Sequence, residues 1–178
     1  MAQIKTNNSY LRDKIDLRIN HLPPGAVRVL DCYSGRGLLW KGIIDLTKRD
    51  IITLPIDILG DMGFHLQGKN QGFLMTLDLT KYNVIDLDAY GVPYEQLKII
   101  FDRGYHGVVF VTFIQSLYGQ MPIALLEELG FTEAMTKRIP TLFGRRGWEY
   151  FLEYLALHGV KEVSHRSISR KHYLSFKI

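Results

Sequence analysis

The sequence predicts an α/β protein: one open, mostly parallel sheet of seven strands, helices on both faces, and an antiparallel hairpin at the C-terminal end. Three observations predict it. The stretch Val27 to Trp40, VRVLDCYSGRGLLW, passes from β-branched and apolar residues through an acid and small residues into a helical pattern, the order expected of a strand, a ligand-binding turn and a helix. Further short apolar runs recur between helical patterns along the rest of the chain, as in a sheet whose strands are joined by crossover helices. The 178 residues make one domain, 1–178, large enough to bury a core without staples.

Taken in order, residues 8–20, NSYLRDKIDLRIN, place Leu11, Ile15, Leu17 and Ile19 at partly helical spacing. They predict a leading helix with Asn8 or Ser9 as N-cap that stops before Pro23-Pro24-Gly25. Val27, Val29 and Leu30 build the first strand, and Leu38 to Leu46 the helix after it. ITLPID is the second strand, closed by Asp57. Gly60 to Asn70 reads as a weak helix or loop, and Gln71 to Leu77 as a third strand closed by Asp78. Val84, Ile85 and Leu87 form the fourth, which the chain leaves through Asp88-Ala89-Tyr90-Gly91. Tyr94 to Phe101 is a helix, Gly107 to Phe113 a buried central strand, and Pro122 to Leu129 a helix with proline near its first turn. Thr132 to Gly147 reads as a mobile cap or substrate-facing segment. Trp148 to His158 is an amphipathic helix ending at Gly159. Val160–Arg166 and Lys171–Ile178 close the sheet as an antiparallel pair around Ser167-Ile168-Ser169-Arg170.

The first turn narrows the ligand. Asp31, Ser34, Gly35 and Gly37 expose backbone N–H groups beside a helix N-terminus, and two glycines let a ligand lie against the peptide. A phosphate-gripping loop needs Gly-Lys-Ser or Gly-Lys-Thr, where this chain has Gly37-Leu38-Leu39. A dinucleotide fingerprint needs a third glycine at position 40, which is Trp40. Asp31 sits badly beside a pyrophosphate and well beside a cation or an amino group. The alternative is an ordinary turn with two convenient glycines. Asp57, twenty residues beyond Gly37, suits vicinal ribose hydroxyls, since one carboxylate can accept from both. In this reading Asp31, Asp57 and Asp78 end three successive strands, on the edge where open α/β sheets bind ligands.

The pattern D-x-x-S-G-x-G from Asp31 to Gly37 resembles motif I of the class I S-adenosylmethionine-dependent methyltransferases. That resemblance implies their Rossmann-like fold with S-adenosylmethionine as cofactor, held by Asp31, Ser34, Gly35, Gly37, Asp57 and, at the adenine amine, Asp78. At the end of the fourth strand such enzymes acting on amines carry an acid or amide, a proline and an aromatic residue. An attacking amine needs an acceptor oxygen for its N–H bonds while a ring stacks on the base, roles that fall to Asp88 and Tyr90. Asp86, two residues earlier on the same strand face, competes with Asp88. Asp86-Leu87-Asp88-Ala89-Tyr90-Gly91-Val92-Pro93 is similar to D-x-D-P-[FY]-G-[ST]-P of the tRNA guanosine dimethyltransferases, as is the Leu117-Tyr118-Gly119 loop. The resemblance spans roughly residues 27 to 178 and implies methylation of an exocyclic base amine, in RNA before DNA. Ala89 stands where that family has proline, and the family's further RNA-binding domain has no counterpart here. An inactive cofactor- or RNA-binding module, working beside another subunit or as a homo-oligomer, is the alternative, followed by an NAD-dependent oxidoreductase.

Charge divides unevenly along the chain. Residues 1–130 carry 13 Lys and Arg against 14 Asp and Glu, and residues 131–178 carry 9 against 4. Lys137, Arg138, Arg145, Arg146, Arg166, Arg170 and Lys171 make a basic surface if the fold gathers them, and such a surface attracts nucleic acid. No apolar run is long enough to span a membrane and no signal-peptide core stands at the start. The single Cys32 forms no disulfide framework, which fits a reducing cytoplasm. The six histidines show no metal-binding spacing.

Overall fold

Strand-forming residues assemble one seven-stranded sheet in a computed structural model that describes residues 10–58, 66–115 and 121–178. The strands are Val27–Asp31 (β1), Ile51–Asp57 (β2), Leu66–Gln67 (β3), Val84–Leu87 (β4), Val108–Ile114 (β5), Val163–Ile168 (β6) and Lys171–Lys177 (β7). Their spatial order is β3-β2-β1-β4-β5-β7-β6. β2, β1, β4 and β5 pair in parallel, as do β2 and β3, and β7 enters antiparallel between β5 and β6. β4 and β5 are buried along almost their whole length, with Asp86 and Thr112 as their polar residues, as parallel strands covered on both faces must be.

Side-chain alternation sorts each strand between two cores. Val27, Val29, Val84, Val108 and Phe110 pack beneath Leu11–His21 (α1) and Leu38–Thr47 (α2) through Ile15, Trp40 and Ile43. Leu30, Ile85, Leu87, Val109 and Val111 face the opposite way. There they meet Leu74 of Asn70–Thr76 (α3), Leu97 and Ile100 of Tyr94–Asp102 (α4), Leu125 of Ile123–Glu128 (α5), and Phe151 and Tyr154 of Pro140–Leu157 (α7). Glu133–Arg138 (α6) packs on α5 and α7.

Three expectations are corrected. Gln71 to Leu77 is not a strand: the chain is helical from Asn70 to Thr76, and the third strand is the two-residue Leu66–Gln67 just before it. Asn70, Phe73, Leu74 and Leu77 recur at helical spacing and turn inward, a period of 3.6 that outweighs the β-propensity of the segment. The segment from Thr132 to Gly147 is helical for most of its length, as α6 and the first turns of α7, with Pro140 at the start of the longer helix. The closing hairpin turns more tightly than expected: Ile168 pairs with Lys171, leaving Ser169 and Arg170 as a two-residue turn with Ser169 at φ 58°. The leading helix begins at Leu11 with Tyr10 before it. Asn8, Ser9, the Leu117-Tyr118-Gly119 loop and most of Gly60 to Asn70 lie outside the described residues.

This topology gathers the candidate residues on one edge. The carboxyl ends of β1, β2, β4 and β5 lie side by side, and because Ile114 pairs with Lys171 the β6–β7 turn joins them there.

Candidate functional site

The turn after β1 is stitched to the end of β2. Ser34 donates its backbone N–H and its hydroxyl to Ile56 O, at 3.1 and 3.2 Å, and the Gly35 N–H donates to Asp57 Oδ2 at 2.8 Å. Gly35 and Gly37 adopt φ of 50° and 66°, which L side chains rarely do, and a Cβ on either would meet nothing within 4 Å. Glycine is therefore required by the backbone, and the space beside both is open. Gly37 then starts α2, accepting from the Lys41 N–H at 3.1 Å.

Asp31 ends β1 directly opposite Asp86 of β4 in the parallel register. Both are buried on the α1–α2 face, Asp31 at 4% exposure and Asp86 at 0%. Arg18 of α1 closes on Asp86 with Nε at 2.7 Å and Nη2 at 2.6 Å, and Trp40 Nε1 donates to the same carboxylate at 2.9 Å. Burial works against the Arg18 charge, yet Asp86 outweighs it and lifts the guanidinium above its ordinary value. Among the described residues Asp31 has no such cation of its own. Burial first, then the Asp86 and Asp88 charges, push its carboxyl well above the usual carboxylate range, against the smaller pull of Arg18.

Asp88 lies one residue beyond β4. Lys14 Nζ of α1 stands 2.7 Å from each of its oxygens, and the Thr112 hydroxyl of β5 donates to Oδ1. Burial would raise this carboxyl, but Arg18 and Lys14 outweigh it and hold it below the ordinary range. The Lys14 and Asp88 side chains are only 16% and 18% exposed, so removing either partner would leave a largely buried charge, at a cost of about 3–5 kcal/mol. The two acids of the fourth-strand motif are thereby told apart: Asp86 is enclosed by Arg18 and Trp40, and Asp88 lies at the tip. The Ala89 N–H donates to Leu87 O at 2.8 Å in a three-residue turn that a proline at this position could not close. Tyr90 follows on the same edge, 61% exposed.

Asp78 falls elsewhere. It follows α3, which runs back to the amino ends of the strands, and it caps the 3₁₀ turn Leu79–Lys81 through the Thr80 N–H at 3.2 Å. That hydrogen bonding lowers its carboxyl below the ordinary value. At the true tip of β3 stands Gln67, beside Asp57 in register. The adjoining Asn70 donates to Cys32 O at 3.0 Å and accepts from Gln96 of α4 at 2.9 Å, which ties the β3, β1 and β4 loops together. A cavity of about 350 Å³ is lined by Tyr33, Val92, Tyr94, Gln96, Pro122 and Ile123.

Sequence reasoning missed Lys14, Arg18, Thr112 and Gln67. The available signal was the pair of cations four residues apart on the leading helix, next to Ile15 and Leu17. The basic residues it named are mostly at the same edge. Gln115 donates its N–H to Arg170 O and its side chain to Gly144 and Arg145 O, binding the start of α7 to the β6–β7 turn. Arg145, Arg146, Arg170 and Lys171 are therefore neighbours, and Lys137 and Arg138 end α6 just before α7 begins. Several have local partners: Lys137 pairs with Glu133 at 2.8 Å, Arg146 with Glu149 at 2.5 Å, and Lys171 lies over the Tyr10 ring. Arg166 instead joins Asp13 of α1 at 2.6 Å. Among the described residues no group of His, Cys, Asp and Glu could hold a metal ion.

No family model and no curated protein matches the chain. Solved structures do. A Clostridium thermocellum protein provisionally named an rRNA-methylase superposes with a TM-score of 0.55 at 12% identity, covering 94% of this chain and 97% of that one. A SAM-dependent methyltransferase from Archaeoglobus fulgidus gives 0.55 at 13% identity over 96% and 92%. The fold is that of the class I methyltransferases. Precorrin-6y C5,15-methyltransferase from Geobacter metallireducens superposes with 0.52 at 12% identity over 100% and 92%. The Archaeoglobus neighbour is named for its dependence on S-adenosylmethionine; this chain brings together two open glycines at positive φ, a half-buried acid at the β2 tip and a buried acid at the β1 tip, donors and space that fit such a molecule. Among the described residues no helix is long and apolar enough to cross a membrane.

Proposed function

We propose that this chain transfers a methyl group from S-adenosylmethionine to an exocyclic amine of a nucleic-acid base, with RNA favoured over DNA. The observation that carries the reading is the convergence of Asp31, Asp57 and Asp88 at neighbouring strand tips, with the glycine turn between the first two. Asp31 would take the cofactor's ammonium, Asp57 its ribose, Gln67 its adenine, and the Gly35 to Gly37 backbone its tail. When bound, the cofactor supplies an electrophilic methyl group, so the protein has only to align the partners and exclude water. Asp88 accepts a hydrogen bond from the target amine, and the exposed Tyr90 ring offers a face for the base. The basic residues at the ends of α6 and at the starts of α7 and β7 sit on the same edge, placed to meet phosphates. The cytoplasm, a reducing and RNA-rich compartment, is where such a protein would work.

The neighbours' names span an RNA and a tetrapyrrole acceptor, so substrate choice rests on the chain's own residues. A transfer assay with radiolabelled methyl donor against total RNA, DNA and small amines tests it. Label is expected in RNA, and Asp88→Asn should reduce it at least a hundredfold while cofactor affinity stays within a few-fold. Full turnover by that variant would remove Asp88 from the role, and label in the cofactor-bound protein's small-amine controls alone would replace the substrate class.

A further inference from the structure

Asp88 is gripped from a separate helix, by Lys14 of α1. A carboxylate offers about four lone-pair positions on its two oxygens. Lys14 takes one on each oxygen and Thr112 a second on Oδ1, so among the described residues one position, on Oδ2, is left over. Each neighbouring element presents a charged or titratable group: Lys14 and Arg18 from α1, Asp31 from β1, Asp86 from β4, and Tyr173 from β7, beneath the Lys14 ammonium at 5.4 Å. Lys14 could act as a plug that the target amine expels, or as a clamp that stays. Expelling it would replace a full positive charge in a largely buried pair with a neutral amine, which cannot restore the lost attraction. The clamp is favoured.

We propose that Lys14 is a positioning residue of the methyl transfer: with Thr112 it holds Asp88 rigidly, so that one remaining lone pair is presented to the target amine. The inference rests on the reading of Asp88 given above. In the transfer, the amine lone pair forms the N–C bond as the sulfonium C–S bond breaks to a neutral thioether, and the surplus proton on nitrogen departs to solvent. Asp88 accepts a hydrogen bond throughout and stays ionised. A carboxyl held low by neighbouring cations is a poor proton acceptor and a good fixed anion.

The test uses the full chain with Lys14→Met and Lys14→Arg. One readout needs no turnover: the carboxyl ¹³C signal of Asp88, assigned by its loss in Asp88→Asn, is followed against pH. The other is kcat and KM for total RNA at saturating S-adenosylmethionine. Lys14→Met should move the Asp88 titration to higher pH, lower kcat at least tenfold with KM within twofold, and shift the acid limb of the rate profile upward, with Lys14→Arg restoring most of the rate. If Lys14→Met does not fold, Thr112→Val, which removes one of the three hydrogen bonds, is read the same way. An unshifted Asp88 signal, or full kcat in Lys14→Met, overturns the clamp alone. Wild-type protein that binds S-adenosylmethionine but methylates no RNA overturns the substrate reading and this inference with it.

Discussion

Arg18 donates to both oxygens of Asp86 at a place where the two side chains are 1% and 0% exposed. Removing one partner of such a pair strands the other in low dielectric, whereas removing both leaves a packing defect and the Trp40 indole N–H without its acceptor. Arg18→Met is therefore expected to lower the unfolding free energy by about 3–5 kcal/mol in urea titration, and Arg18→Met with Asp86→Leu to recover part of that loss. Asp57 and Asp78 give a contrast at the same scale. Asp57→Ala should weaken S-adenosylmethionine binding by about ten- to a hundredfold, the loss of hydrogen bonds to a charged acceptor, while Asp78→Ala, at the far end of the sheet, should leave it within twofold. Equilibrium dialysis with labelled cofactor reads both. The acids at the β1, β2 and β4 tips were legible because a carboxylate directly after an apolar run marks a strand end. Lys14 and Arg18 were not, because a cation on an amphipathic helix looks the same whether it meets solvent or a buried acid, and only tertiary packing decides between them.

Among the elements, the α7–β7 contact carries a pH dependence. His172 of β7 stacks on Trp148 at 4.1 Å and bonds to the Ser167 hydroxyl at 2.8 Å, and burial, aided by His165, lowers its pKa. The unfolded chain then takes up a proton near pH 6.5 before the folded one does, so stability falls as pH drops through about 6.5 and is complete above it. His172→Phe is expected to flatten the dependence of Tm on pH between about 5 and 7; an unchanged slope would place the acid sensitivity in other groups. Element identity was read well where periodicity was long and plain, as in β1, α2, α4 and β5. It failed at Gln71 to Leu77, where seven residues with Phe, Leu and Met satisfy both a strand and two helical turns. That one error put Asp78 on the ligand edge, when it lies at the opposite end, and hid Gln67.

For the whole molecule, the alternation of apolar runs and helical patterns placed six of the seven strands, two helical layers and the closing antiparallel pair, and put the third strand on what is α3. It could not order the strands in space; the insertion of β7 between β5 and β6 is a tertiary fact. The same insertion brings the basic β6–β7 turn to the edge that holds the acids, so that the two groups of residues share one side of the protein. The account depends on that edge taking a cationic, adenosine-bearing cofactor. Isothermal titration of the purified chain with S-adenosylmethionine and with NAD tests it most directly. Saturable one-to-one binding of S-adenosylmethionine, and none of NAD, is the predicted result; saturable binding of NAD with no heat from S-adenosylmethionine would contradict it.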